Sequence, residues 1–326
     1  MILNRREFLF ATAATASTKQ DLVSQWKTIA RKTDGRVGTA ALHLGTGHLV
    51  AMNGDERFPL ASVCKVPIAM HILALVDEGR LSLDENIELL PRDVFSGVSQ
   101  IAPRWPKQRQ FRLGEMVELM VARSDNTAEE TLFRIGGGGS AIATRFRRWK
   151  IGDVRVDRSE RQCGLDFSGV APSPPPEQWT DSRIAEMINE VPQEVRYKAA
   201  LQFLRDPRDK ATPKGTVAMF ARLFRGELLS RNSTSYLVDI LKSTSSFPTR
   251  LKGALPSGTV VAHKTGSYGA VNGWTAATND SGVIFLPNGE QLAISVYVKA
   301  STRNDAERDD VIAQTALAAY QALQRT

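Results

Sequence analysis

The stretch "SVCKVPIAMHILALVDE", Ser62 to Glu78, decides how the chain is read. Apolar residues cover nearly every face from Val63 to Val76, and the run stops at Gly79. Pro67 lies near the start, where a missing N–H costs least. A helix that is apolar all round belongs in the middle of a protein. Its head is polar: Ser62, and three residues on, on the same face, Lys65. A serine hydroxyl is a weak nucleophile unless a base lies within hydrogen-bond reach. Burial and a nearby cation such as Lys264 would both favour the neutral amine that such a base requires of Lys65. At a helix N-terminus the backbone N–H of Ser62 is also available to a developing oxyanion.

Working outward, "QDLVSQWKTIARK" has helical spacing, and "RVGTAALHLGTGHLVAMNG" reads as two strands around the Gly45-Thr46-Gly47 turn. Helical periods run from about 113 to 150, broken at Gly136–Gly139, and recur at about 193–204, 214–225 and 232–242. The C-terminal segments "GTVVAHKTG" and "SGVIFLPNGEQLAISVYVK" read as a strand and a hairpin, and "AERDDVIAQTALAAYQALQ" as an amphipathic helix. Strands at both ends with helices between predict an α+β, α-β-α sandwich: the chain ends form one antiparallel five-stranded sheet, and an all-helical subdomain, about 62–212, is inserted between them. One catalytic domain, 17–326, follows.

The balance of 42% hydrophobic and 24% charged residues suits a soluble globular protein, and no stretch reaches the ~18 apolar residues of a membrane span. The N-terminal "NRREFLFATAATAS" pairs Arg5 and Arg6 with a short apolar run ending Ala14-Thr15-Ala16. It resembles a twin-arginine export signal over residues 1–16, cut near Ala16, which places the mature protein in the periplasm. The net charge of +7 raises nucleic acid as a partner. The densest basic run, "RFRRWK" at Arg145–Lys150, follows a helical pattern and matches no nucleic-acid motif, so it reads as a solvated face. Cys64 and Cys163 and four histidines give no metal-ligand spacing, and no metal or cofactor is expected. Whether the two thiols pair is left open by the sequence.

Three motifs stand in order: "SVCK" at Ser62–Lys65, "SDN" at Ser124–Asn126 and "KTG" at Lys264–Gly266. Ser-x-x-Lys alone is common, and "SQWK" at Ser24–Lys27 is a decoy on a helix expected to face solvent. The three together, with Ser62 opening a buried helix, are the signal. On these residues the chain resembles the active-site serine penicillin-recognising enzymes, specifically the class A β-lactamases. The flanking "ERFPLASVCK", "ARSDNTAEETL", "DPRDKATP", "RGELLS", "LPSGTVVAHKTGS" and "TNDSGVIFLPNG" are similar to class A segments in the same order.

The resemblance implies hydrolysis of β-lactams through a serine acyl-enzyme. Ser62 is then the nucleophile and Lys65 its base partner, and Ser124 passes a proton to the lactam nitrogen. Asn126 binds the substrate's side-chain amide, and Lys264 supplies positive potential. Thr265, Ser267 and Arg250 bind the substrate carboxylate, and the Ser267 N–H completes the oxyanion hole. A monomer acting on a small molecule is expected.

The loop "VDRSERQCG", Val156 to Gly164, extends the resemblance. Glu160 lies thirty-six residues beyond Ser124, the family's spacing for the glutamate that activates the hydrolytic water. Arg158 and Asp209 match the ion pair that closes the loop's neck. Two features depart from the pattern. Cys163 and Gly164 stand where the family often has Leu-Asn, whose Asn helps hold the water. Arg158 and Asp209 lie fifty-one residues apart, far more than the family's loop requires, so about 165–205 is read as an insertion forming a small helical flap. Two alternatives accompany the hydrolase reading: a penicillin-binding module that acylates without turnover, and a D-alanyl-D-alanine peptidase or other serine hydrolase.

Overall fold

The computed structural model describes residues 20–324; the expected signal segment, 1–16, lies outside them. Helix α1 (20–30) leads into strands β1 (Arg36–His43) and β2 (Leu49–Met52) and the short β3 (Phe58–Pro59). A 3₁₀ turn, Ala61–Cys64, opens α2 (Lys65–Asp77). Strands β4 (Asn86–Glu88) and β5 (Gln110–Arg112) precede α3 (Leu113–Ala122), α4 (Asn126–Ile135), α5 (Gly138–Arg148) and α6 (Glu160–Ser168). Then come α7 (Asp181–Glu190), α8 (Gln193–Arg205), β6 (Lys210–Ala211), α9 (Pro213–Phe224) and α10 (Arg231–Lys242). Strands β7 (Val261–Val271), β8 (Trp274–Phe285) and β9 (Gln291–Ser301) and helix α11 (Asp305–Leu323) close the chain.

The main sheet is antiparallel with order β2-β1-β9-β8-β7, so the two chain ends do share it. Strand β9 is central and buried on both faces, which explains its near-continuous apolar run. Its side chains alternate: Leu292, Ile294, Val296 and Val298 pack with Leu22 and Trp26 of α1 and with α11, whereas Ala293 and Tyr297 face the core under α2 and α9. The Trp26 indole N–H donates to the Thr315 carbonyl at 3.0 Å, tying α1 to α11. Helix α2 is enclosed as its composition predicts, with Val66 to Leu75 all buried.

The inserted segment is helical, as expected of the flap, and it packs into the rest of the fold. Helix α8 packs on α6, and Phe167, Phe203 and Trp274 with Tyr268 form an apolar cluster that joins the insertion to the β7–β8 hairpin. A second small cluster, Leu165, Val170, Trp179 and Ile184, lies beneath α7. The insertion is a buttress with its own cores rather than a loose cover. Thr180 caps α7, its hydroxyl accepting from the Arg183 N–H. The "RFRRWK" reading needs one correction: Arg145 turns inward, 8% exposed, and grips Glu78 with both terminal nitrogens, while Arg147 and Arg148 stay in solvent. The decoy Ser24 and Lys27 are exposed on α1, as predicted.

Candidate active site

Three elements converge on one point. Ser62 sits in the turn that opens α2, behind Ala61, whose φ of +46° lies in the left-handed region that a non-glycine residue rarely adopts. Such a conformation persists only where the surroundings over-determine it. Here Asn279 of β8 does so, its amide donating to the carbonyls of Pro59 (2.8 Å) and Leu60 (3.0 Å). The β3–β6 bridge adds a second tie, with Leu60 N–H donating to the Asp209 carbonyl at 3.0 Å. The nucleophile's turn and the loop neck are thus fastened to each other.

Strand β7 is the sheet's edge and runs against this turn. A Cβ at Gly266 would lie 2.9 Å from the Leu60 carbonyl and 3.0 Å from the Ser62 nitrogen, so glycine is required for the approach. That approach sets β7, with Ser267 as the next residue, beside the backbone of Ser62.

Ser124, φ +58°, links α3 to α4. Asp125 holds it there: its carboxylate caps α4 by accepting from Ala128 N–H (2.9 Å) and clamps the 99–101 segment by accepting from Ser99 Oγ (2.9 Å) and Ile101 N–H (3.1 Å).

Lys65 is the hub. Its Nζ is 3.0 Å from Ser62 Oγ, 3.4 Å from Ser124 Oγ, 2.6 Å from Asn126 Oδ1 and 2.9 Å from Glu129 Oε2. Because Asn126 turns its oxygen to Lys65, its NH₂ is left for a substrate. Lys264 Nζ donates to Ser124 Oγ (3.1 Å) and to its neighbour's carbonyl at Thr265 (2.8 Å). Both lysines are fully buried. The direction expected for the Lys65 pKa is reversed. Burial does press its pKa down, but the negative charges of Glu129 and Glu160 outweigh burial and raise it. Lys264 behaves the opposite way: burial and the Lys65 charge lower it to about 7.

The residues expected to bind the substrate carboxylate also gather, with one refinement. Thr265 Oγ1 is 2.9 Å from Ser246 Oγ, and Ser267 is exposed. Arg250 is 2% exposed and ion-paired to Asp309 at 2.8 Å; it also donates to the Gly266 and Asn279 carbonyls and, at 2.8 Å, to Ser267 Oγ. Four of its five N–H donors are used by the protein. Its charge therefore comes to the site chiefly through Ser267.

Glu160 is the first residue of α6, with Ser159 as cap. The next residue fixes it: Arg161 N–H donates to Glu130 Oε1 at 2.6 Å, and the Arg161 guanidinium reaches the Val94 carbonyl (2.6 Å) and Asp181 of the insertion (2.8 Å). Burial first, and then the charge of Glu129, raise Glu160 to about 7. The neck is as predicted and larger: Arg158 meets Asp209 at 2.5 Å, Asp166 at 2.5 Å and Asp206 at 3.3 Å. Cys64 and Cys163 are both buried free thiols, each pushed up by burial. A Cβ built at Gly164 would meet nothing within 4 Å.

Sequence reading gave no role to Asp125, though it lies inside "SDN", and missed Asn279, Ser246 and the pair Glu129 and Glu130. The pair too left a legible trace: in "SDNTAEE", Glu129 lies three residues after Asn126 and so on the same helical face.

A buried lysine beside a hydroxyl at the head of a buried helix, a second hydroxyl, and an edge-strand lysine are the arrangement expected of a serine hydrolase. Comparison with known proteins agrees. Residues 21–323 match the family described as the Beta-lactamase enzyme family. Among relatives, beta-lactamase VEB-1 of Pseudomonas aeruginosa is 28% identical over 94% of this chain and 92% of its own length. The extended-spectrum beta-lactamase PER-1 of the same organism is 29% identical over 96% and 90%. Among solved structures, a beta-lactamase from Chitinophaga pinensis has a TM-score of 0.77 and 31% identity, covering 94% of this chain and 99% of its own. The TLA-1 extended-spectrum beta-lactamase has a TM-score of 0.79 at 26% identity, with the same coverage. The chain belongs to the beta-lactamase enzyme family and is a class A serine β-lactamase.

Proposed function

We propose that the chain opens the β-lactam ring by acylating Ser62 and releases the product with water activated by Glu160. Ser62 Oγ attacks the lactam carbonyl, the oxyanion enters the N–H groups of Ser62 and Ser267, and the C–N bond breaks as Ser124 gives its proton to the lactam nitrogen. Lys264 and Lys65, both within hydrogen-bond range of Ser124, restore that proton. Water then attacks the ester, with Glu160 taking its proton. Asn126 receives the substrate's side-chain amide, while Thr265, Ser267 and Arg250 receive its carboxylate. The observation that carries this reading is the single cluster joining Ser62, Lys65, Ser124 and Lys264 at 3.0–3.4 Å. Glu160 near pKa 7 supports turnover over trapping, because a base poised near the working pH is suited to water activation.

The test is intact mass during reaction with a penicillin. The unmodified protein should open the ring with no lasting adduct, and Glu160→Gln should accumulate one on Ser62. A persistent adduct on the unmodified protein would replace turnover by trapping, as a penicillin-binding module does.

Export to the periplasm as a monomer completes the proposal, resting on Arg5 and Arg6 ahead of the apolar run. Among the described residues no helix is long and apolar enough to cross a membrane. Replacing both arginines by lysine should leave activity in the cytoplasmic fraction; unchanged periplasmic activity would reject the twin-arginine route.

A further inference from the structure

Of the four large apolar side chains that stand well out in solvent among the described residues, only Phe247 is aromatic. It is 45% exposed and has a φ of +48°. Glycine adopts such a φ without strain and phenylalanine does not, and the proline that follows, Pro248, restricts the backbone further. A single exposed apolar residue is ordinary. Exposure together with backbone strain is not, because little burial offsets the strain, and strained residues cluster where ligands bind.

Phe247 stands at the site. It follows Ser246, whose Oγ is 2.9 Å from Thr265 Oγ1. Its carbonyl accepts from the Arg250 N–H at 3.2 Å, closing a turn over 247–250. That turn lays the ring against the Arg250 guanidinium, whose carbon is 4.0 Å from the ring centroid. The same guanidinium donates to Ser267 Oγ at 2.8 Å and to the Gly266 carbonyl at 3.1 Å. One face of the ring is therefore taken by Arg250, and the exposure of the residue leaves the other face to solvent.

The chemistry of the substrate says what that free face would meet. In a cephalosporin the carboxylate sits on one carbon of the six-membered ring, and the adjacent ring carbon carries a variable substituent. With the carboxylate received by Thr265 and Ser267, that substituent lies on the neighbouring carbon, beside Phe247. We propose that Phe247 is a specificity-determining residue: its free ring face forms a wall of the substrate site and stacks on a flat, uncharged heteroaromatic substituent at the carbon next to the one bearing the carboxylate. Aromatic rings pair in offset or edge-to-face arrangements, which an open ring face permits. A neutral ring suits the wall better than a cation, since the Arg250 charge lies behind Phe247 and would face a second cation across the ring. A penicillin, with two methyl groups on the corresponding carbon, offers nothing flat to stack.

The inference rests on the acyl-enzyme reading, and the experiment keeps the two apart. The full chain and its Phe247→Ala and Phe247→Tyr variants are assayed for kcat/KM on two cephalosporins with the same amide side chain. One carries an acetoxymethyl group at the carbon in question, the other an uncharged heteroarylthiomethyl group. The ratio of heteroaryl to acetoxy substrate is compared between variants, so that the intrinsic reactivity of each substrate cancels. Phe247→Ala should lower the ratio by about fivefold, the order expected of one aromatic pair, and Phe247→Tyr, which keeps the ring, should hold it near its original value. An unchanged ratio in Phe247→Ala, or an equal loss on both substrates, would make Phe247 no more than a cover for Arg250 and overturn the proposal. If the alanine variant does not fold, Phe247→Gly, which suits a φ of +48°, is read in the same way. An unmodified protein that keeps a lasting adduct on Ser62 would count against the turnover reading instead, and the same ratio would then be taken from the acylation rates.

Discussion

The two halves of the catalytic cycle are held in different ways. The acylation centre stands on regular elements locked by apolar packing: Leu60, Val63, Val66, Met120 and Val121 of the main core surround the segments that carry Ser62, Lys65 and Ser124. The deacylation loop is held by charges. Arg158 gathers three aspartates, Arg161 joins the Val94 carbonyl to Asp181, and Glu130 accepts from the residue after Glu160. Apolar packing spreads its contribution over many contacts, so a polar substitution in the centre need not disturb the fold. In the loop the stability rests on a few polar contacts, and losing the buried Arg158 leaves the buried Asp209 without its cation.

The largest expected effect tests the first half of that contrast. Ser124→Ala removes the proposed proton carrier between Lys264 and the lactam nitrogen and should lower the acylation rate by about 10²–10⁴, with the thermal midpoint nearly unchanged. A variant that unfolds instead would show that the Lys65–Ser124–Lys264 contacts hold the fold as well as perform chemistry.

Next comes the loop. Arg158→Leu strands the buried Asp209, while Arg208 still bridges Asp166 and Asp206, and should cost about 3 kcal/mol in a urea titration. Deacylation should suffer more than acylation, because the neck carries Glu160 while Ser62 has the Asn279 tie as well. Equal losses in both steps would show that the Leu60–Asp209 link transmits the damage to the nucleophile.

The same contrast explains what the sequence revealed. Helix α2 and the β7–β9 strands were legible because their burial is written as apolar runs, and Ser62, Lys65, Ser124, Lys264 and Glu160 because they sit in short motifs at fixed spacing. The direction of the Lys65 pKa was misjudged since Lys264, the neighbour considered, is a cation in "KTG", whereas the deciding neighbour, Glu129, reaches Lys65 only when α4 packs on α2. The insertion was visible as extra length, but its role as a buttress depends on Phe203 of α8 meeting Tyr268 of β7 at a ring separation of 4.9 Å, a contact between segments far apart in the chain.

A smaller effect lies in pH. Glu160 acts as a base only when ionised, and its pKa is raised to about 7, so kcat/KM should fall tenfold per unit well below pH 7. Lys264, lowered to about 7, loses its charge as pH rises through that value in the free enzyme. A bound substrate carboxylate favours its ammonium, so the alkaline fall should be marked in kcat/KM and weak in kcat. A flat kcat/KM between pH 5 and 9 would remove the electrostatic account of both groups.

The smallest effect tests the loop at its least constrained point. Gly164 lies inside α6, four residues after Glu160 and so on the same face, and a Cβ there would meet nothing within 4 Å. Replacing glycine by asparagine inside a helix restricts the unfolded chain and should raise stability by a few tenths of a kcal/mol. The added amide would stand beside any water held by Glu160. One further hydrogen bond, about 1 kcal/mol, corresponds to deacylation faster by up to about fivefold, with acylation unchanged. A slower deacylation would mean that the open space beside Gly164 is itself used, by the water or by the acyl group, and that the loop's second half is shaped by room as well as by charge.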